Sequence, residues 1–397
     1  MGNPIVEFIF RECPNCYMKV IQQSFAVKYE YPVVFTQNLF GKENAVLRDF
    51  LTEFGNKDYK KKLLFVIDEG VFTTNQYLKD RIPAYFTEAP LLEAVTELVI
   101  IPGGEIVKNE ESHFDTVMNA INQYGIDRHS FVVAIGGGAV LDMVGYAAAV
   151  AHRGVKLIRI PTTVLSQNDS AVGVKNSINY FGKKNFLGTF APAVAVFNDS
   201  DFLKTLSPRD RISGISEAVK VALIKDLAFF EWLEKHAEDL AGAEEKAMAE
   251  QIYRSAELHL AHIRSGDPFE LGSARPLDFG HWAAHKLEYL TNFEVKHGEA
   301  VAIGIALDVC YSQLLGKLTK TYRDRVLNVL ETIGFTLYHP ALAERDKINL
   351  WEGLNEFREH LGGRLTITLL ETLGKGYEVH EMDFELVKQA VDYLEKR

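Results

Sequence analysis

The sequence predicts an α/β protein in two unlike parts: a parallel-sheet domain over residues 1–206 and an all-α domain over residues 207–397. Three observations carry that expectation. Apolar runs rich in Val and Ile alternate with helical periodicity through the first half, as in KKLLFVIDEG, TELVIIPGGE, SFVVAIGGG and VKLIRIPTT. Strands of that kind belong to a parallel sheet covered on both faces. Each run ends in a glycine-rich or polar turn, and ligands of such sheets bind beyond the carboxyl ends of the strands. From Ser207 onward the apolar residues recur at spacings of three and four, as in SPRDRISGISEAVKVALIKDLAFFEWLEKHAEDL.

Bulk properties agree. A chain of 397 residues is too long for one ordinary core. With 47% hydrophobic and 24% charged residues and no long apolar run, the composition is that of a soluble protein that does not cross a membrane. A net charge of −11 argues against a nucleic-acid partner, although a local group of Lys and Arg suits a small anionic substrate. No basic segment precedes an apolar one at the N-terminus, and Val6 stands where a myristoylation signal needs Ser or Thr. Three cysteines make no disulfide framework, which fits a reducing cytoplasm. Cys13 and Cys16 have CxxC spacing, but no second CxxC follows and no βα pattern frames them.

Taken in order, the elements suggest their chemistry. AIGGGAVLDMVGYAAAV follows a strand and opens a helix. Gly136, Gly137 and Gly138 bring backbone N–H groups close to a phosphate at a helix N-terminus, which favours a nucleotide pyrophosphate over a merely tight turn. PTTVLSQNDSAVGVKNSINYFGKKNFLGTF is the densest polar stretch, with Thr162, Thr163, Asp169, Lys175, Asn179, Lys183, Lys184 and Asn185 among turn residues. Its regularly threaded apolar residues set it apart from a solvated loop, and its lysines suit a phosphorylated ligand. In the second half, His281 and His285 in FGHWAAHKLEYL lie one helical turn apart, and His297 follows in KHGEAVAIG. Two such histidines can converge on a cation, yet Trp282 occupies the place of the glutamate in an HExxH motif, so spacing alone leaves a plain helical interface open. RLTITLL marks one or two short strands at 364–380. No repeat, low-complexity tract or proline-rich linker appears, so the two domains are expected to pack directly together.

The ordered motifs GGGxxxD, RG, PTT, DSAVGVK, GKKN, EAVK, GHWAAH and HGEAV resemble 3-dehydroquinate synthase and its relatives, the sugar phosphate cyclases, from about Leu64 to the C-terminus. The resemblance implies a Rossmann-like nucleotide-binding α/β domain plus a helical domain, the dehydroquinate synthase-like fold, with bound NAD and a catalytic Zn2+ or Co2+ between them. It implies metal ligands at Glu217, His281 and His297, and puts His285 beside the substrate rather than on the metal. Cofactor contacts carry over to Asp68, Glu105, Lys108, Gly137, Gly138 and Asp142, then to Thr162, Thr163, Lys184, Phe202, Thr205 and Leu206. Substrate and phosphate contacts carry over to Arg153, Asp169, Lys175, Asn185, Lys220 and His285. The reaction implied is oxidation of a seven-carbon sugar phosphate with NAD, phosphate elimination, re-reduction and intramolecular aldol closure. A homodimer in the cytoplasm is the expected setting.

The chain departs from dehydroquinate synthase where that family touches the substrate. Asp278 replaces its asparagine; its lysine near 259–262 is absent, leaving His259, Leu260 or His262. Its phosphate-side arginine meets Ala274 with Arg275 adjacent, and its C-terminal lysine falls around Arg358 to His360. An aspartate at 278 repels a carboxylate and accepts from a hydroxyl. A similar substitution marks the cyclases that act on sedoheptulose 7-phosphate, and the wording LDFGHWAAHKLE and FREHLGG also resembles the divergent Ebo-type branch. The substrate is therefore expected to be either 3-deoxy-arabino-heptulosonate 7-phosphate or sedoheptulose 7-phosphate. Two alternatives share this fold: a metal-dependent polyol dehydrogenase, which typically has Asp where Glu217 stands and lacks the GVKNSIN…GKKN segment, and a catalytically silent binding protein.

Overall fold

The computed structural model describes residues 21–397 except 56, 266–267, 270–275 and 361–363. The Cys13/Cys16 pair, Ala274, Arg275 and the side chain of His360 lie outside the described residues. The chain divides into Met1–Glu30 and a unit from Tyr31 to Arg397. Residues 21–30 are exposed and without helix or strand.

The second unit is built on a parallel sheet. In chain order its strands are β1 (Val33–Thr36), β2 (Lys61–Asp68), β3 (Leu92–Ala94), β4 (Val99–Ile101), β5 (Phe131–Gly136) and β6 (Lys156–Pro161). After a hairpin of β7 (Lys175–Tyr180) and β8 (Lys183–Phe190), β9 (Ala195–Asp199) completes it. The spatial order is β1-β9-β6-β5-β2-β3, and β4 continues the β3 edge by pairing with Val66–Asp68. All of its pairings are parallel. Successive side chains of a strand point to opposite faces, so a sheet covered on both sides needs unbroken apolar runs. KKLLFVID and FVVAIG supply them. Leu64, Val66, Val132 and Ala134 enter one core, while Leu63, Phe65, Ile67, Phe131, Val133 and Ile135 enter the other.

The polar stretch after β6 is more structured than its composition suggests. Ser166–Ser170 forms a short π-helical turn, and β7–β8 make an antiparallel hairpin. Phe181 and Gly182 both have positive φ (52° and 70°), as a type I′ turn between twisted strands requires. Arg159, fully buried in β6, straps this segment down. Its guanidinium donates to the carbonyls of Ala171 (3.0 Å), Gly173 (2.9 Å) and Lys175 (2.7 Å) and to Asn176 Oδ1 (2.6 Å).

Residues beyond Leu206 form a helical body with its own core, and where one or two short strands were expected, β10 (Ile367–Thr372) and β11 (Lys375–Val379) pair as an antiparallel hairpin. The helix Ile215–Lys225 runs through its centre, buried from Ile215 to Ile224. The helices His281–Leu290 and His297–Leu314 cross closely. A Cβ at Gly304 would stand 1.9 Å from the Gly280 carbonyl oxygen, and Gly280 itself has φ +77°. Among the described residues no helix is long and apolar enough to cross a membrane.

Candidate active site

Glu217 lies in the first turn of Ile215–Lys225, while His281 and His297 each begin a helix. Close packing around those starts brings the three together. A Cβ at Gly298 would meet the Ser213 carbonyl at 1.8 Å, so the His297 helix docks directly on the turn leading to Glu217. Glu217 Oε1 is 3.6 Å from Nε2 of His281 and 3.6 Å from Nε2 of His297. Ligands held about 2.1 Å from a tetrahedral zinc ion stand about 3.4 Å apart, so this spacing fits a metal and is too long for hydrogen bonds. Each imidazole has its other nitrogen fixed: His281 Nδ1 is 3.1 Å from the Phe279 carbonyl and His297 Nδ1 is 3.1 Å from Glu288 Oε2. Such partners set the ring orientation and leave Nε2 for a metal. Glu217 is 1% exposed, and neither carboxylate oxygen has a hydrogen bond of acceptable geometry, although Lys220 lies against Oε2. A buried carboxylate with that deficit fits a cation.

Electrostatics agree. Burial would raise the Glu217 pKa, but Lys220 and His297 outweigh it and hold the group at about 2. Burial would lower His297, but Glu288 and Glu217 lift it to about 9. His281 is driven well below its ordinary value by burial and by positive charge on Lys220, His297 and His285. Of the two imidazoles, His297 is therefore held cationic and His281 neutral.

Further groups surround the trio. The His285 ring lies 5.5 Å from that of His281 and 6.1 Å from that of His297. Lys220 is buried, which lowers its pKa, but Glu217 and Asp169, with Asp278 further off, raise it on balance. Asp169 Oδ1 lies 2.6 Å from His259 Nδ1, so His259, in the 259–262 stretch, meets a predicted substrate group. Glu288 was missed by sequence reasoning. It follows His281 by seven residues and His285 by three, hence lies on the same helix face, a signal that was available. Its second oxygen takes Lys184 Nζ at 3.2 Å, joining the β7–β8 hairpin to the His297 helix start.

On the sheet side, Asp68 caps the helix Glu69–Thr74 by accepting from Gly70 N (2.8 Å) and Val71 N (3.3 Å), and burial raises its pKa. Lys108 Nζ is 3.0 Å from Asp142 Oδ2 and also donates to Asn185 Oδ1. Glu105 accepts from Asn179 at 2.8 Å, and Asn179 in turn accepts from Asn185 N at 2.7 Å. These contacts clip the hairpin over the helix Gly138–Val150. The glycines divide: a Cβ at Gly136 would meet Val140 at 2.8 Å and one at Gly138 would meet Ser170 at 2.7 Å. At Gly137 the nearest atom is Thr163 Cγ2 at 3.4 Å, so only there does packing not demand glycine. The backbone there is open to close approach. Thr163 bonds Ser166 at 2.8 Å, while the buried hydroxyls of Thr162, Ser170 and Ser200 have no protein partner. Phe202 is a core residue, Thr205 closes onto its carbonyl at 3.0 Å, and Leu206 packs against the helical body.

Comparison with known proteins decides the family. Residues 98–213 match the model for the N-terminal part of 3-dehydroquinate synthase, and residues 214–352 match its C-terminal part. The chain belongs to the 3-dehydroquinate synthase family. It is 34% identical over 323 residues to 3-dehydroquinate synthase of Acinetobacter baylyi, covering 81% of this chain and 88% of the relative. Among solved structures, ValA, a 2-epi-5-epi-valiolone synthase from Streptomyces hygroscopicus subsp. jinggangensis 5008 with NAD+ and Zn2+ bound, has a TM-score of 0.84 at 27% identity, over 95% of this chain and 99% of that one. A 2-deoxy-scyllo-inosose synthase with carbaglucose-6-phosphate, NAD+ and Co2+ shares the fold, with a TM-score of 0.74 at 22% identity over 90% of this chain and 95% of that one.

The dehydroquinate synthase-like architecture brings Glu217, His281, His297, His285, Lys220, Asp169 and Lys184 into one neighbourhood. Arg153 is exposed, at φ 61°, beyond the C-terminal end of the helix Gly138–Val150. That helix has 13 residues, so Arg153 stands about 20 Å from the glycine turn that opens it.

Proposed function

We propose that the protein is a sugar phosphate cyclase, a carbon–oxygen lyase that oxidises a seven-carbon sugar phosphate, eliminates phosphate, restores the hydride and closes a carbocycle by an aldol step. One observation carries this reading: Glu217, His281 and His297 converge with both Nδ1 atoms already committed, and Lys220 lies beside them. In this reading the three residues hold a divalent ion, zinc or cobalt, and Gly137, Thr162, Asp68 and the Lys108–Asp142 pair line the NAD crevice. When bound, the ion supplies a Lewis acid at the substrate hydroxyls and NAD a reversible hydride acceptor.

The side chains divide the remaining work. Lys175, Asn185 and His285 hold the phosphate, and His285 sits close enough to the metal ligands to pass a proton to the departing group. Lys220 neutralises Glu217 and meets substrate hydroxyls, with Asp169 and Asp278 as acceptors. Arg153 stands apart from the glycine turn of its own subunit, exposed beyond the far end of the helix Gly138–Val150. It belongs to the phosphate site of a second copy, and a homodimer is part of the proposal, as is a reducing cytoplasmic setting. ValA at 27% identity, with NAD+ and Zn2+, supports the cofactor assignment. The test is one purified sample analysed for metal and NAD and then for phosphate release from both seven-carbon candidates, with products identified by NMR. His297→Ala should lose the metal and turnover while the sheet domain stays folded. Stoichiometric zinc in that variant would refute the ligand assignment.

A further inference from the structure

Donor atoms of a second group converge beside the metal trio. His285, Glu288 and His297 each offer one ligand atom within 4.8 Å of the other two, and His297 belongs to both groups. His281, His285 and Glu288 share one face of the helix His281–Leu290, so a single stripe carries donors from one group to the next.

The two groups differ in depth. Glu217 and His281 are buried, His297 is part-buried and His285 is exposed. Donors therefore run inward from solvent through His285 and His297 to His281 and Glu217, with ring centroids 6.1 Å and then 5.5 Å apart. A buried metal site needs an entry path. Past Asp169 the way is guarded by Lys220, whose ammonium lies against Glu217 and repels an incoming cation. On the His285 side Lys184 meets Glu288 Oε1 at 3.2 Å, but with 36% of its side chain exposed it can withdraw into solvent. Lys220, 4% exposed, cannot.

We propose that His285, Glu288 and His297 form the entry site for the divalent ion, which binds there first and then passes inward to Glu217, His281 and His297. Because His297 serves both groups, they are alternatives. A second divalent ion would face the first across one imidazole, and their repulsion restricts the outer group to transit.

Rates of zinc uptake and release test this on the whole chain stripped of metal. Uptake is followed by mixing with zinc held in a chromophoric chelator, release by transfer into excess EDTA, and Kd by equilibrium competition. A group visited only in transit alters the barrier and not the end states, so both rates move together. His285→Phe keeps a ring of similar size but removes its donors. It should slow uptake and release alike, roughly tenfold, the low end of what a partner of a metal site is worth, with Kd held within about twofold. His285→Glu restores a donor and should restore both rates. Unchanged rates in His285→Phe, or slowed rates that His285→Glu leaves slow, overturn the entry role. So does a weaker Kd with faster release, which would make His285 a holding ligand, or a second tightly bound zinc per chain. The inference rests on the metal ligands of the cyclase reading but needs no substrate. A wild type that takes up no zinc sinks that ligand assignment itself, whereas failure confined to the His285 variants leaves it standing.

Discussion

Glu288 offers the sharpest quantitative prediction, because one carboxylate has two opposed effects on the metal. It fixes His297 through Nδ1, and loss of such a partner weakens metal binding by about 10- to 100-fold. It also lifts the metal-free His297 to about 9, so at pH 7 an incoming ion must expel a proton. Two pH units correspond to about 2.7 kcal/mol, or roughly 100-fold in affinity. Since 28% of the His297 side chain is exposed, solvent trims that figure rather than abolishing it. For the wild type, zinc Kd measured against a chelator should tighten nearly tenfold per pH unit from 7 to 9. Calorimetry in two buffers of different ionisation enthalpy should find close to one proton released per ion at pH 7. Glu288→Gln lowers the His297 pKa, so its Kd should be weaker at pH 9 but nearly flat between pH 7 and 9. Equal pH slopes in the two proteins would refute the reasoning.

Other perturbations test the scaffold. Asp308 is fully buried, and burial raises its pKa to about 7 against the bonds from Trp282 Nε1 (2.9 Å) and Gly280 N (3.0 Å). A raised folded value contributes stability that is complete below the unfolded pKa near 4 and lost as pH rises through 7, about 4 kcal/mol in all. Urea midpoints should therefore climb from pH 8 to pH 5 in the wild type and stay flatter in Asp308→Asn; parallel profiles would contradict this. Arg159→Met strips donors from four backbone carbonyls, each orphan costing about 1–3 kcal/mol, so global stability should fall by several kcal/mol in denaturant titration. A loss below about 1 kcal/mol would mean that the strap is dispensable. Gly304→Ala would set its Cβ 1.9 Å from the Gly280 carbonyl oxygen and so force the two helices apart, and zinc stoichiometry should drop as His281 moves. Unchanged zinc content in a folded variant would show that the crossing has slack.

Much of the fold was legible. The unbroken apolar runs of β2, β5 and β6 specify a parallel sheet because only buried strands tolerate side chains of one kind on both faces. The polar stretch from Thr162 to Phe190 was harder. Its hairpin depends on a turn at Phe181–Gly182 and on the buried Arg159, neither of which announces itself locally. Arg153 reads in sequence like its neighbours in the motif series, and only its position at the far end of a helix separates it from them. His259, one of three candidates in the 259–262 stretch, was picked out by its contact with Asp169.

By itself the sequence determined the alternation of strands and helices and the glycine turn, while Glu217, His281 and His297 entered as candidate metal ligands through the family resemblance. Periodicity and residue chemistry are local properties, and they survive being read in one dimension. What tertiary structure alone decided is which imidazole turns which nitrogen inward. That depends on the Phe279 carbonyl, on Glu288, and on glycines at 280, 298 and 304 that let three helix starts meet. Ligand geometry is set by second partners and close packing between segments distant in the chain, and no spacing rule carries that information.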